Sequence, residues 1–234
     1  MLTFETVNEL TLKVTCKGQD TLFTRTGAFI SGENMGPKNY KFDKVLFGPQ
    51  NNAMQAIAGQ FMRRITGENM PLTKVMLNGD SVTYYASYGR HVVIYHLQPG
   101  ETISVESENI LAFTQDCDYS VRFVGVGILS QKGLATSTLS AKGPNAFVAV
   151  LSDGNPIVLS NVQSHSTISV DPDAVICWVG NGPCDPQVTA DVSWKTFVGQ
   201  SSGESYQFEW NGSYPVTVII QPSERSGGIS VSMD

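Results

Sequence analysis

The chain has 234 residues, 41% hydrophobic and 15% charged, a balance that belongs to globular rather than disordered proteins. Acids outnumber bases 21 to 15 for a formal charge of −6, so the long-range field opposes phosphate and nucleic acid is not an expected ligand. No apolar run approaches the ~20 residues of a membrane helix, and Met1-Leu-Thr-Phe-Glu5 lacks the basic and apolar regions of a signal peptide. The expectation is a cytoplasmic protein with no transmembrane segment.

The first patterned stretch, Asp20-Thr-Leu-Phe-Thr-Arg-Thr-Gly-Ala-Phe-Ile30, is a strand candidate followed by a turn. Farther on, Asn51 to Arg64 contains strong helix formers behind a possible Asn N-cap, with Met54, Ile57, Phe61 and Met62 near one stripe. This is the one short helix the sequence predicts. It carries the only adjacent basic pair, Arg63-Arg64, too few basic residues for a membrane-surface helix. Next come the turn Asn78-Gly79 and the apolar run Val82-Thr-Tyr-Tyr-Ala86.

Residues 87–113 recur without a gap as residues 152–178. At this offset of 65, Ser87, Gly89, Val93, Gln98, Thr102, Ile103, Ser104 and Val105 meet identical residues. Conservative pairs extend the match, among them Val92/Ile157, Ile94/Leu159, Ile110/Val175, Leu111/Ile176 and Phe113/Trp178. Such internal similarity means one supersecondary unit built more than once. Within it, Thr102-Ile-Ser-Val-Glu106 and Thr167-Ile-Ser-Val-Asp171 alternate with period two, which puts Ile103 and Val105 on one face, and likewise Ile168 and Val170. Glu106 to Asn109 and Asp171 to Ala174 read as turns leading into further apolar strands. Gly143 precedes Phe147-Val-Ala-Val-Leu151 and Gly212 precedes Val216-Thr-Val-Ile-Ile220 at the same spacing, which aligns Phe147 with Val216. The Asp20 stretch supplies a weaker first copy. Three units follow, about 1–86, 87–152 and 153–234, within a single compact body. Gly and Pro between nearly all runs (22 and 11) fit an all-β sandwich or barrel.

Chemistry-bearing motifs are sparse. Gly125-Val-Gly127 lacks the third glycine of a dinucleotide loop, because Ser130 stands in its place; a strand crossing or bulge is the better interpretation. His91 and His96 are five apart on one predicted strand and cannot share a metal there, and His165 takes the turn position of Gly100. Ser201-Ser-Gly-Glu-Ser205 lacks a nucleophile-elbow context, and its counterpart Thr66-Gly-Glu-Asn69 suggests a repeated turn. Cys16, Cys117, Cys177 and Cys184 read as reduced thiols, with Cys177 a small buried hydrophobe at the Ala112 position. Phe113, Trp178, Trp194 and Trp210 read as core or interface aromatics. No catalytic residue, metal site or cofactor is expected, and no cofactor-binding residue is assigned.

Several elements carry a family resemblance: Gly18-Gln-Asp-Thr21 with Gly27-Ala-Phe-Ile30; Pro99-Gly-Glu101 with Ile110-Leu-Ala-Phe113; and Gly199 to Tyr206 followed by Val218-Ile-Ile-Gln-Pro-Ser-Glu224. Over nearly its whole length the chain resembles the bacterial branch of the altered-inheritance-of-mitochondria family. That family is similar in fold to the tryptophan RNA-binding attenuation protein (TRAP). The resemblance implies a duplicated TRAP-like β-sandwich that forms a homo-oligomer, with a trimer as the expected state. Mitochondrial relatives are associated with inner-membrane organisation; the bacterial ones have no assigned reaction, and no family catalytic residues exist to carry over. A fold does not transfer RNA binding. Together these readings predict a non-enzymatic scaffold or assembly protein whose partners are itself and an unidentified protein or complex. The alternative is a small-ligand binder with its site between repeats or subunits. The uncharged runs Phe147–Leu151 and Val216–Ile220 lack the charges that guard exposed strand edges, so each is expected to be covered within the monomer or by a neighbouring subunit.

Overall fold

The computed structural model describes residues 1–36, 38–46, 71–124, 134–182, 184–190 and 206–223. The predicted helix at 51–64, Thr66–Asn69, the Gly125–Ser130 motif, Trp194 and Ser201–Ser205 lie outside the described residues.

The chain begins with β1 (Leu2–Val7), and the six strands of a first set follow: β2 (Thr11–Cys16), β3 (Gln19–Arg25), β4 (Phe29–Glu33), β5 (Tyr40–Leu46), β6 (Pro71–Asn78) and β7 (Ser81–Tyr85). A second set comprises β8 (His91–His96), β9 (Glu101–Glu106), β10 (Ile110–Thr114), β11 (Cys117–Val124), β12 (Leu134–Ala141) and β13 (Phe147–Ser152). The third comprises β14 (Ile157–Ser160), β15 (Ile168–Val170), β16 (Val175–Asn181), β17 (Gln187–Ala190), β18 (Tyr206–Trp210) and β19 (Val216–Ile220). Short 3-10 turns at Ser107–Asn109 and Pro172–Ala174 stand where the sequence predicted turns.

Each set is divided between two sheets. Sheet A runs β1-β2-β7-β4, sheet B β5-β6-β3-β10-β13-β8, sheet C β11-β12-β9-β16-β19-β14, and sheet D β15-β18-β17. All described pairings are antiparallel. The second, fifth and fourth strands of the first set join the third, sixth and first strands of the second set to make sheet B. Sheet C joins the second and third sets in the same order. The register repeats as well. Each third strand carries one bulge, between Phe29 and Ser31, Ile110 and Ala112, and Val175 and Cys177. A bulge adds one unpaired residue and pins the strand it interrupts, so Ile30, Leu111 and Ile176 hold equivalent places.

Three cores lie between the stacked sheets. Leu2, Phe4, Leu12, Val14 and Tyr85 of sheet A meet Leu22, Val75, Leu111 and Leu151 of sheet B. On the other face of sheet B, Phe113, Val148 and Val150 meet Ile103, Val105, Leu139 and Ile219 of sheet C. Trp178, Val216 and Val218 of sheet C meet Ile168, Val170, Phe208 and Trp210 of sheet D. Ile103 and Val105 are 0% exposed, and Ile168 and Val170 are 8% and 7% exposed, as their alternation predicts. Burial on both faces also explains the unbroken apolar runs of β10, β13 and β16, whereas β7, with one face wet, alternates.

Two parts of the sequence alignment need correction. Val93 pairs with Val150 and Ile157 with Ile220, while Ile110 and Val175 pair with those same two residues. Val93 therefore corresponds to Ile157 and Tyr95 to Leu159, one residue away from the ungapped pairs Val92/Ile157 and Ile94/Leu159. The loop between β14 and β15 holds the extra residue. Similarly, Phe113 pairs with Val148 and Trp178 with Val218, so Phe147 corresponds to Thr217 and not to Val216. Side-chain period two makes such a slip reverse the faces, and the burial follows the corrected register: Phe147 and Thr217 are half-buried, Val148 and Val218 buried. The two uncharged runs are covered inside the chain, β13 between β10 and β8, β19 between β16 and β14.

Candidate functional site

Where the second set meets the third, a groove of about 400 Å³ opens beside sheet C. Its polar lining includes His96, Gln98, Glu101, Asn181 and Thr217, and its apolar lining includes Tyr95 and Val162. The β9–β16 ladder sets Glu101 opposite Asn181, which brings residues 80 positions apart in the chain to one rim. Gly180 in the wall has no side chain for a packing reason: a Cβ there would lie 2.7 Å from the Cys184 Sγ and 3.0 Å from the Pro215 carbonyl oxygen.

The polar groups of the rim hold one another. The Gln98 backbone N–H donates to Glu101 Oε2 at 2.7 Å, and the Gln98 side-chain amide donates to the His96 carbonyl at 3.4 Å. The His96 ring lies 4.3 Å from the Phe147 ring with 13° between planes, and its Nε2 is 2.8 Å from the Pro144 carbonyl oxygen. Burial pushes the Tyr95 phenol far above its usual range, with Cys177 adding to the effect. The groove can accept and donate hydrogen bonds around an apolar floor, as a binding site does.

The other chemistry-bearing residues are dispersed. His91 and His96 sit at opposite ends of β8, with His91 Nε2 3.7 Å from a Glu9 carboxylate oxygen. His165 is exposed with φ 51°, as Gly100 has φ 90°, so both occupy the same left-handed turn position. Among the described residues no three His, Cys, Asp or Glu side chains gather as metal ligands. All four cysteines are buried and none is in a disulfide, and Cys177, like Ala112, is 0% exposed. Burial raises the Cys117 thiol to about 11 and the Cys177 thiol further. Phe113 and Trp178 are each 1% exposed core residues.

A second feature is an apolar surface at β4, which has no further strand beside it in sheet A among the described residues. Phe29 and Ile30 of β4 are exposed, and Phe29 packs edge-on to Phe42 of β5 at 5.1 Å between centroids. Phe42 in turn lies 5.3 Å from Tyr40. The sequence placed residues 27–30 among its repeated elements but gave no sign of their exposure, which depends on what stands beside β4 in the sheet.

The family model for mitochondrial biogenesis AIM24 matches residues 4–223. The chain belongs to that family. Its fold is similar to a crystal structure of protein SPYM3_0169 from Streptococcus pyogenes, with a TM-score of 0.65 at 15% identity, over 96% of this chain and 94% of that one. None of the curated proteins compared matches the chain at a significant level. No helix among the described residues of this AIM24-family chain is long and apolar enough to cross a membrane.

Proposed function

We propose that this AIM24-family chain is a non-enzymatic, homo-oligomeric β scaffold, with a trimer as the expected state, that binds another protein or complex in the cytoplasm. On this reading its three units, about 1–86, 87–152 and 153–234, act as one body. The observation that carries it is the unequal covering of equivalent residues. Leu111 and Ile176 are 0% exposed, whereas Ile30, on the same bulge of the first set, is 55% exposed. Apolar side chains left open at a strand edge are an association surface. Light scattering coupled to gel filtration tests the assembly, and affinity purification at native expression level tests for the partner. A monomer of 25.3 kDa at all concentrations would remove this reading.

The groove at the second junction favours a second reading, a small-ligand binder with its site between units. Its volume, about 400 Å³, suits a small metabolite. Native mass spectrometry of untreated protein tests it. A bound metabolite lost on substitution of Glu101 would favour ligand binding over a purely structural role.

A further inference from the structure

Among the described residues the strand orders leave one junction unmade. In sheet B the third strand of the second set, β10, pairs with the second strand of the first, β3. In sheet C the third strand of the third set, β16, pairs with β9. The third strand of the first set, β4, ends sheet A, and the second strand of the third set, β15, ends sheet D. Each is the type of strand the other would need as a neighbour. Sheets A and D are thus two parts of a sheet ordered like B and C, divided between the two ends of the stack.

We propose that β4 of one copy of this chain pairs with β15 of a second copy, in the register already used at the two internal junctions. Thr24 faces Ala112 and Val105 faces Cys177 at those junctions. Carried over by the bulge positions, the same register sets Ser31 opposite Val170, Gly32 opposite Ser169 and Glu33 opposite Ile168.

The uncovered side chains support this occupant. Leu111 lies in the core of the preceding set, alongside Leu12, Val14 and Leu22, and Ile176 lies in the next core alongside Ile103 and Val105. By the same placement Ile30 covers the outer core of the partner copy, formed by residues such as Phe208 and Trp210. All five residues of β4 are exposed and all five of β10 are buried, and among the described residues β4 lacks the neighbour that β10 has in β3. The contact is head to tail, from one copy's β4 to the next copy's β15. It covers β4 and β15 in every copy only if the ring closes.

The inference rests on the homo-oligomer reading, and the test separates the two. Amide hydrogen exchange of the unmodified chain is followed at low and high concentration, with light scattering on the same samples. The expected result is an oligomer in which exchange slows in residues 29–33 and in residues 168–170 together. Ile30→Lys, at a side chain open to solvent in the single chain, is expected to raise the dissociation constant about tenfold or more, since it removes one buried aliphatic contact. An oligomer without slowing in both segments overturns the β4–β15 pairing but leaves the oligomer standing, and so does a folded Ile30→Lys chain that assembles normally. Slow exchange of both segments already in the monomer means pairing within one chain and also overturns the proposal. A monomer at every concentration removes both readings.

Discussion

Truncating Leu111 and Ile30 to alanine, one at a time, compares two equivalent positions in different surroundings. Leu111 is 0% exposed and packs into the core between sheets A and B; Ile30 is 55% exposed. Removing a fully buried Leu side chain costs about 2–5 kcal/mol, part transfer free energy and part cavity. A substitution at an exposed site costs roughly 0.5 kcal/mol. For a chain of this length each kcal/mol moves the thermal midpoint by about 2–4 °C. Leu111→Ala is therefore expected to lower Tm by roughly 6–12 °C, taking about 3 kcal/mol as the central cost, and Ile30→Ala by about 1–2 °C. The measurement is thermal unfolding by circular dichroism, dilute enough that light scattering reports single chains. If both variants lose equal stability there, the difference in covering between β4 and β10 is not a property of the single chain. At concentrations where the chain assembles, the loss from Ile30→Ala is expected to grow, because its side chain is then buried.

Three further outcomes follow from the packing. All four thiols are expected to resist maleimide labelling at pH 8 in the native protein and to react on unfolding, since all are buried and burial raises Cys117 to about 11; rapid labelling of the native chain would contradict this. Burial raises the Tyr85 phenol to about 12, so the neutral form is favoured in the fold. The stability this contributes is fully present below the unfolded value of about 10 and lost as pH rises through about 12. Absorbance at 295 nm should accordingly show a late tyrosine fraction whose ionisation coincides with unfolding, and an unshifted titration of all tyrosines would refute it. Gly212 has φ 76° and its missing Cβ would collide with the His165 carbonyl, while Gly27, at φ 84°, faces open space. Gly212→Ala is expected to cost about 1–3 kcal/mol or more and Gly27→Ala less, as read from urea midpoints; equal costs would mean the close approach to His165 is unimportant.

The sequence alone determined the all-β class, because strand signals rest on local periodicity. Thr102-Ile-Ser-Val and Thr167-Ile-Ser-Val alternate with period two, and the pleat puts alternate side chains on opposite faces wherever the strand lies. The left-handed turn shared by Gly100 and His165, and the burial of Cys177 at the place of Ala112, could likewise be read from aligned residues. The sequence could not say where an extra residue entered. Val92 with Ile157 looks as good a pair as Val93 with Ile157, and only the ladders onto β13 and β19, more than 50 residues away, decide between them. The groove was hidden for the same reason: Glu101 and Asn181 become neighbours only through the pairing of β9 with β16. Exposure was the last thing to be settled. Ile30, Leu111 and Ile176 are similar residues on the same bulge, and tertiary structure alone gives two of them a neighbouring strand and, among the described residues, leaves the third without one, because burial depends on what packs beside a strand and not on the strand's own pattern.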